Sequence, residues 1–253
     1  MSLEQIVVLL VAAAGAGWVD AVVGGGGLLQ LPALMVAGIP PVQAMATNKL
    51  SSVFGTTTAA VTYVRSTKLD RRVAIPAGAL AVVSAGLGAL AAGAISADVL
   101  RPVVMAVLLA VAAFVTLRPA MGQVPRPHLR TDARVITAVV IAGVGIAFYD
   151  GIMGPGTGTF LIIAFTTILG LDFVNASATA KIINIGTNVG ALLVFGLQGH
   201  VLWGLGLGMA VCNVAGARLG ARMALKRGAA FVRVVLLLVV AAMVTRLAWQ
   251  QFG

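Results

Sequence analysis

The chain has 253 residues, 60% of them hydrophobic and 9% charged, with a mean hydropathy of +1.07 and a formal charge of +10. Too few polar residues are present to cover a water-soluble domain, so the composition excludes one and points to an integral membrane protein. The charge does not indicate a nucleic-acid partner either, because the 17 basic residues fall mostly in short connections between apolar runs.

Those runs are rich in Ala, Leu, Val and Gly and about twenty residues long, which suits helices crossing roughly 30 Å of hydrocarbon rather than alternating barrel strands. In chain order the predicted segments are 3–22, 27–39, 42–64, 73–95 and 100–118, then 135–153, 159–171, 174–198, 201–224 and 231–248. The first lacks a basic n-region and reads as a membrane helix rather than a removed signal peptide. The second segment of each set has about thirteen residues, near 20 Å as a helix, which is too short to cross comfortably. A broken or tilted element is expected there. The stretch MGQVPRPHLRTDAR between the two sets reads as a tether, and no soluble domain is expected. Cys212, the sole cysteine, lies in an apolar run and reads as a small buried hydrophobe. With only His128 and His200 beside it, no metal site or cofactor is expected. Trp18, Trp203 and Trp249 fall near segment ends, where interfacial anchoring is the ordinary role.

Laid on itself with Lys49 against Lys181, the chain repeats at an offset of 132. Gly24 then meets Gly156, Gly26 meets Gly158, Gly38 meets Gly170, Thr47 meets Thr179 and Gly88 meets Gly220. The expected organisation is a first membrane repeat at 1–118, a cytoplasmic linker at 119–134 and a second repeat at 135–253. Basic residues mark cytoplasmic connections. Arg65, Lys68, Arg71 and Arg72 crowd one, Arg118, Arg126, Arg130 and Arg134 the linker, and Arg218, Arg222, Lys226, Arg227 and Arg233 a third. The neutral connection at 197–203, the turn at Asp98 and both termini are expected outside. Since the basic connection at 65–72 and the neutral one at 197–203 hold the same place in the two repeats, the repeats are expected to be inverted. The predicted fold is an all-α polytopic membrane protein, an inverted repeat of two five-segment helical halves with short or broken second segments. In such a fold a secondary transporter holds substrate near the midplane and rocks one half against the other.

A charge inside a membrane segment is costly and is kept where it faces a path or a partner. Two lysines meet that description. Lys49 follows Thr47 and Asn48; Lys181 follows Thr179 and precedes Asn184 and Asn188 by one and two turns. Each is either part of an anion site or a snorkelling side chain. Ahead of them lie Gly24, Gly25, Gly26 and Gly27 in the first half, and Gly156, Thr157, Gly158 and Thr159 in the second. Unpaired amides of such turns, at the start of a following helix, suit an oxyanion; the alternative is that the glycines only permit close helix packing. Asp20 and Asp150 each stand four residues before a glycine, at an offset of 130 rather than 132. They can pair a lysine, cap a broken helix or carry a proton. Gln30, Thr56, Thr57, Thr58 and Asn213 either line the path or bond helix carbonyls.

The strings WVDAVVGGGGLLQLPAL, GIPPVQAMATNKLSSVFG, YVRSTKLDRR, FYDGIMGPGTGTFL and SATAKIINIGTNVGALL resemble the TauE/SafE sulfite exporter family, in order and spacing over residues 15–220. The resemblance implies a bacterial inner-membrane carrier that exports small sulfur-containing anions such as sulfite or sulfonates. One copy of the TNK motif is incomplete, with Ala180 where the first half has Asn48, so the half-sites need not contribute equally. No nucleotide-binding loop is present, which leaves membrane potential, protons or the substrate gradient as drivers. A monovalent anion leaving a negative interior gains roughly 2.3 kcal/mol per 100 mV, so uniport suffices. The competing readings are a carrier or importer of another small anion or metabolite, and a membrane enzyme or assembly factor. The last lacks a recognisable nucleophile-base pair.

Overall fold

The computed structural model describes residues 1–92, 122 and 124–252. The predicted segment at 100–118, the turn at Asp98, Arg118 and the side chain of Trp249 lie outside the described residues. Within them the fold is all helical: α1 (Leu3–Val23), α2 (Gly27–Val36), α3 (Pro41–Val64), α4 (Arg71–Ala91), α5 (Asp132–Ile152), α6 (Thr157–Ile168), α7 (Phe173–Leu197) and α8 (Trp203–Phe252). Four of these, α1, α4, α5 and α7, are long and apolar enough to cross a membrane. Gly228, at φ 74° and ψ −168°, breaks α8 into two limbs that correspond to the predicted segments 201–224 and 231–248. A π-helical stretch, Ile141–Ile146, interrupts α5.

Local chemistry fixes the helix starts. The Ser2 hydroxyl and the Gln5 amide cap α1 reciprocally, and the Asp172 carboxylate accepts from the amides of Val174 and Asn175, both at 2.9 Å, at the start of α7. Asp172→Ala is expected to cost about 1 kcal/mol, or roughly 2–4 °C in Tm, measured by thermal unfolding in detergent.

Packing is inverted relative to a soluble protein. Small residues such as Ala13, Ala16, Ala77, Ala81 and Ala85 form the buried faces of α1 and α4, while Leu80, Val83, Leu87 and Leu90 form an exposed stripe on α4. Lipid offers helices no hydrophobic reason to associate, so small residues meet at interfaces and large ones face the tails. A Cβ on Gly88 would overlap the Phe148 carbonyl, and one on Gly220 the Trp18 carbonyl, so α4 touches α5 and the first limb of α8 touches α1 along bare backbone. The same limb also packs on α3, and α4 on α7. Elements of each predicted half therefore pack chiefly on elements of the other. Trp18 is drawn into this packing: its indole N–H reaches the Met223 sulfur at 3.2 Å and its ring meets Phe231 edge-on, so it is not a free interfacial anchor. Trp203 is exposed.

The short helices are return limbs of hairpins. Arg134, near the start of α5, donates to the carbonyl of Ile168 at the end of α6 at 3.2 Å, so α6 runs back along α5. Leu9 of α1 shares a cluster with Leu31 and Leu34 of α2, so α2 runs back along α1. The basic connections gather at one end of the bundle. There Arg130 grips Asp70 at 2.6 and 2.7 Å, Arg72 meets Asp132 at 2.9 Å, and Arg65 lies beside Arg218, Arg222 and Lys226. At the other end Leu9, Ile39, Leu202 and Leu205 pack together. α1 starts from this second end and α5 from the basic one, and their hairpin turns meet inside.

The hairpins also explain the two offsets. Gly24 and Gly154, both at positive φ, terminate α1 and α5 at a spacing of 130, matching Asp20 and Asp150. Gly38 and Gly170, past the short helices, are spaced by 132. α6 has 12 residues where α2 has 10, and that lengthening absorbs the difference. Gly24 and Gly154 thus hold like places after the long helices, while Gly156, also at positive φ, caps the start of α6.

Candidate functional site

The two turns touch. Gly158 N–H donates to the Gly24 carbonyl at 3.2 Å, and the Thr159 hydroxyl to the Val23 carbonyl at 2.9 Å. A Cβ on either Gly24 or Gly158 would overlap the other residue's backbone. These two glycines are required by close approach, which is the packing reading. Others in the turns are not so used. Gly25, Gly26 and Gly156 are buried, yet their N–H groups donate to no acceptor among the described residues. Buried amides are satisfied in nearly all proteins, so these three, at the starts of two helices, are donors with capacity for an acceptor. The positive ends of α2 and α6 add to the pull on a negative charge.

Each lysine meets an aspartate from the other half. Lys49 Nζ lies 2.7 Å from Asp150 Oδ2, with both side chains buried. Asp150 Oδ1 accepts from the Thr157 hydroxyl at 2.7 Å, which ties the pair to the first turn of α6. Lys181 Nζ, fully buried, lies 3.0 Å from Asp20 Oδ2 and also donates to the Asp20 carbonyl. Thr56 donates to Asp20 Oδ2 at 3.1 Å, and the Asn188 amide contacts the Thr56 hydroxyl at 3.5 Å. Neither ammonium snorkels. Of the roles open to the two aspartates, ion pairing is realised at both.

Asn48 and Asn184 face the turns. The Asn48 amide nitrogen is 3.8 Å from where a Cβ on Gly27 would stand, the Asn184 amide nitrogen 3.0 Å from that of Gly158, and Oδ1 of both is buried without a partner. Thr47 and Thr179 do not join them. Thr47 accepts from the Leu202 amide at 3.2 Å, and Thr179 donates to the Asn175 carbonyl of its own helix at 2.9 Å. Each stands two residues before its lysine, about 200° around a helix, and so faces away. Thr57 and Thr58 likewise bond carbonyls of their own helix. Gln30 and Asn213 bond each other at 3.1 Å.

Two residues that sequence reasoning passed over brace the turns. Tyr149 donates to the Pro155 carbonyl at 2.7 Å inside the second turn, and Tyr63 to the Ala21 carbonyl at 3.0 Å at the end of α1. They are the chain's only tyrosines, and that rarity beside Asp150 was the available signal.

Residues 9–247 match the family model described as sulfite exporter TauE/SafE. The chain is 38% identical over 247 residues to a probable membrane transporter protein, ORF9, of Sinorhizobium sp, covering 98% of this chain and 94% of the relative. It is 36% identical over 249 residues to the probable membrane transporter protein YfcA of Escherichia coli K12, covering 97% and 90%. A probable membrane transporter protein of Haemophilus influenzae is 29% identical over 251 residues, covering 99% and 97%. No solved structure is matched.

Proposed function

The chain belongs to the TauE/SafE family of membrane transporters, and from that premise we propose that it is a secondary carrier exporting sulfite or small organosulfonates across the bacterial inner membrane by alternating access. The observation carrying this reading is the set of buried amides of Gly25, Gly26 and Gly156 that lack an acceptor among the described residues, in a bundle that also buries two ammonium groups. A sulfur oxyanion presents several acceptor oxygens around one centre and fits such donors; Asn48, Asn184 and the first turns of α2 and α6 complete the lining. The duplication is read as inverted, with the basic end cytoplasmic and both termini outside, in keeping with the positive-inside rule.

The ion pairs bear on coupling. An ammonium has three donors, and Asp150 takes one of those on Lys49. An anion can therefore join Lys49 without displacing Asp150, and the carried charge is that of the substrate. Removing a carboxylate from its buried lysine costs about 3–5 kcal/mol, more than one helix terminus returns, so exchange of partners is disfavoured. Electrogenic export follows.

Proteoliposomes loaded with sulfite should release it faster when an inside-negative potential is imposed, with little response to a proton gradient alone. A flux that follows the proton gradient and ignores potential would move Asp20 and Asp150 from ion pairing to proton carriage. Competition by sulfate, thiosulfate, taurine and sulfoacetate against the same flux ranks the substrates, and a panel without effect would favour a carrier of another anion.

A further inference from the structure

The basic end holds a feature that transport at the hairpin turns does not use. Between the C-terminal part of α3 and the first limb of α8 lies a groove of about 830 Å³, lined by Arg65, Arg218, Arg222 and Lys226 together with Val61 and Val214. Val214, Arg218, Arg222 and Lys226 follow one another at four-residue spacing and so share one face of α8. Three cations one turn apart, with Arg65 opposite, repel one another unless an anion lies among them.

The described residues supply none. Of the chain's seven acidic residues, Asp70 and Asp132 are held by Arg130 and Arg72, Asp20 and Asp150 by the buried lysines, and Asp172 caps α7. Glu4 sits in the first turn of α1, at the opposite end, and Asp98 is outside the described residues. No carboxylate among the described residues lies within 4.0 Å of the four cations. The groove hydroxyls of Thr57, Thr58 and Thr62 are donated to carbonyls of α3 itself at 2.6, 2.9 and 2.8 Å.

Position identifies the anion's source. The cations, Thr57 and Val61 are on the exposed face of the bundle, whereas Gly55, Thr56, Ala59 and Ala60 of α3 are buried. Beside the groove Phe54, Val64, Val211 and Leu219 are exposed apolar side chains, a surface for acyl chains. Charge above apolar surface, at the end where basic residues collect, is the pattern of a headgroup site between membrane helices. We propose that this groove binds an anionic phospholipid of the leaflet facing the basic end, its phosphate among Arg65, Arg218, Arg222 and Lys226 and a chain along Val61 and Val214.

The test uses the full chain, purified and delipidated, then supplied with phosphatidylglycerol, phosphatidylcholine or inorganic phosphate. Native mass spectrometry should show phosphatidylglycerol retained at least tenfold better than phosphatidylcholine, and phosphatidylglycerol alone should raise Tm. The triple variant R218Q/R222Q/K226Q should lose that retention, while R72Q, a basic residue at the same end but outside the groove, should keep it. Equal retention of the two lipids by the wild type, or a Tm rise from inorganic phosphate matching that from lipid, overturns the lipid assignment without needing any variant. Unchanged retention in the triple variant overturns the groove. Sulfite flux is not a readout, so the outcome is independent of the transport reading.

Discussion

Lys49→Met, made alone, is expected to destabilise the protein by about 3–5 kcal/mol and to abolish anion flux, because it leaves the Asp150 carboxylate buried without its counter-charge. Loss of transport in that variant says little about binding. Lys49→Met combined with Asp150→Asn removes both charges, and a buried pair replaced by neutral groups is often tolerated with little net cost. The double variant should therefore recover most of the thermal stability in detergent while its flux stays below a tenth of wild type, since two lysine donors at the turn are gone. The same logic applies to Lys181 and Asp20, where the lysine is fully buried. Recovery of both stability and flux would make the pairs structural ties between α3, α5, α1 and α7 and would leave the anion to the amides alone.

Gly158→Ala is expected to be among the most damaging single-methyl additions in the chain, with Gly24→Ala at least as harmful. The new Cβ has backbone rather than a side-chain tip in its way, and Gly24 additionally sits at φ 75°, where a side chain costs about 1–2 kcal/mol. Separating the turns also threatens the Gly158–Gly24 and Thr159–Val23 hydrogen bonds, so a loss of about 3 kcal/mol or more is anticipated, read as a Tm fall and poor recovery from the membrane. Gly27→Ala supplies the contrast. Its nearest neighbours stand at 3.8 Å, an ordinary contact, so the variant should fold with nearly normal Tm. The added methyl lies beside the Asn48 amide, however, and substrate affinity measured by sulfite binding should fall several-fold. If Gly27→Ala binds normally, the ligand does not occupy the space between α2 and Asn48.

The packing also changes how alternating access is pictured. The sequence reading had one half rocking against the other, yet α1 with the first limb of α8, and α4 with α5, share bare-backbone contacts across the halves. Tight glycine contacts of this kind resist separation, so a motion that keeps these mixed pairs together and slides them past one another disturbs less packing than parting the halves.

Composition alone settled the solvent of this protein, because each apolar side chain partitions into lipid whatever its neighbours are, and the twenty-residue runs set helix length through bilayer thickness. The glycine-rich breaks after Asp20 and Asp150 and the placing of Lys49 and Lys181 inside apolar runs were likewise legible from residue type and spacing, being local or nearly so, whereas the capping of α7 by Asp172 was not read. What the sequence left open was partnership. Lys49 and Asp150 are 101 positions apart, Lys181 and Asp20 161, and no periodicity links them. Only the folding back of α2 and α6, and the meeting of two glycine turns with no side chain between them, brings charges of opposite sign within 3.0 Å of each other. The tertiary structure thus decided between snorkelling and pairing, sent Thr47 and Thr179 away from the turns, and left three amides without acceptors among the described residues, since contact between distant segments depends on backbone shape rather than on local preference.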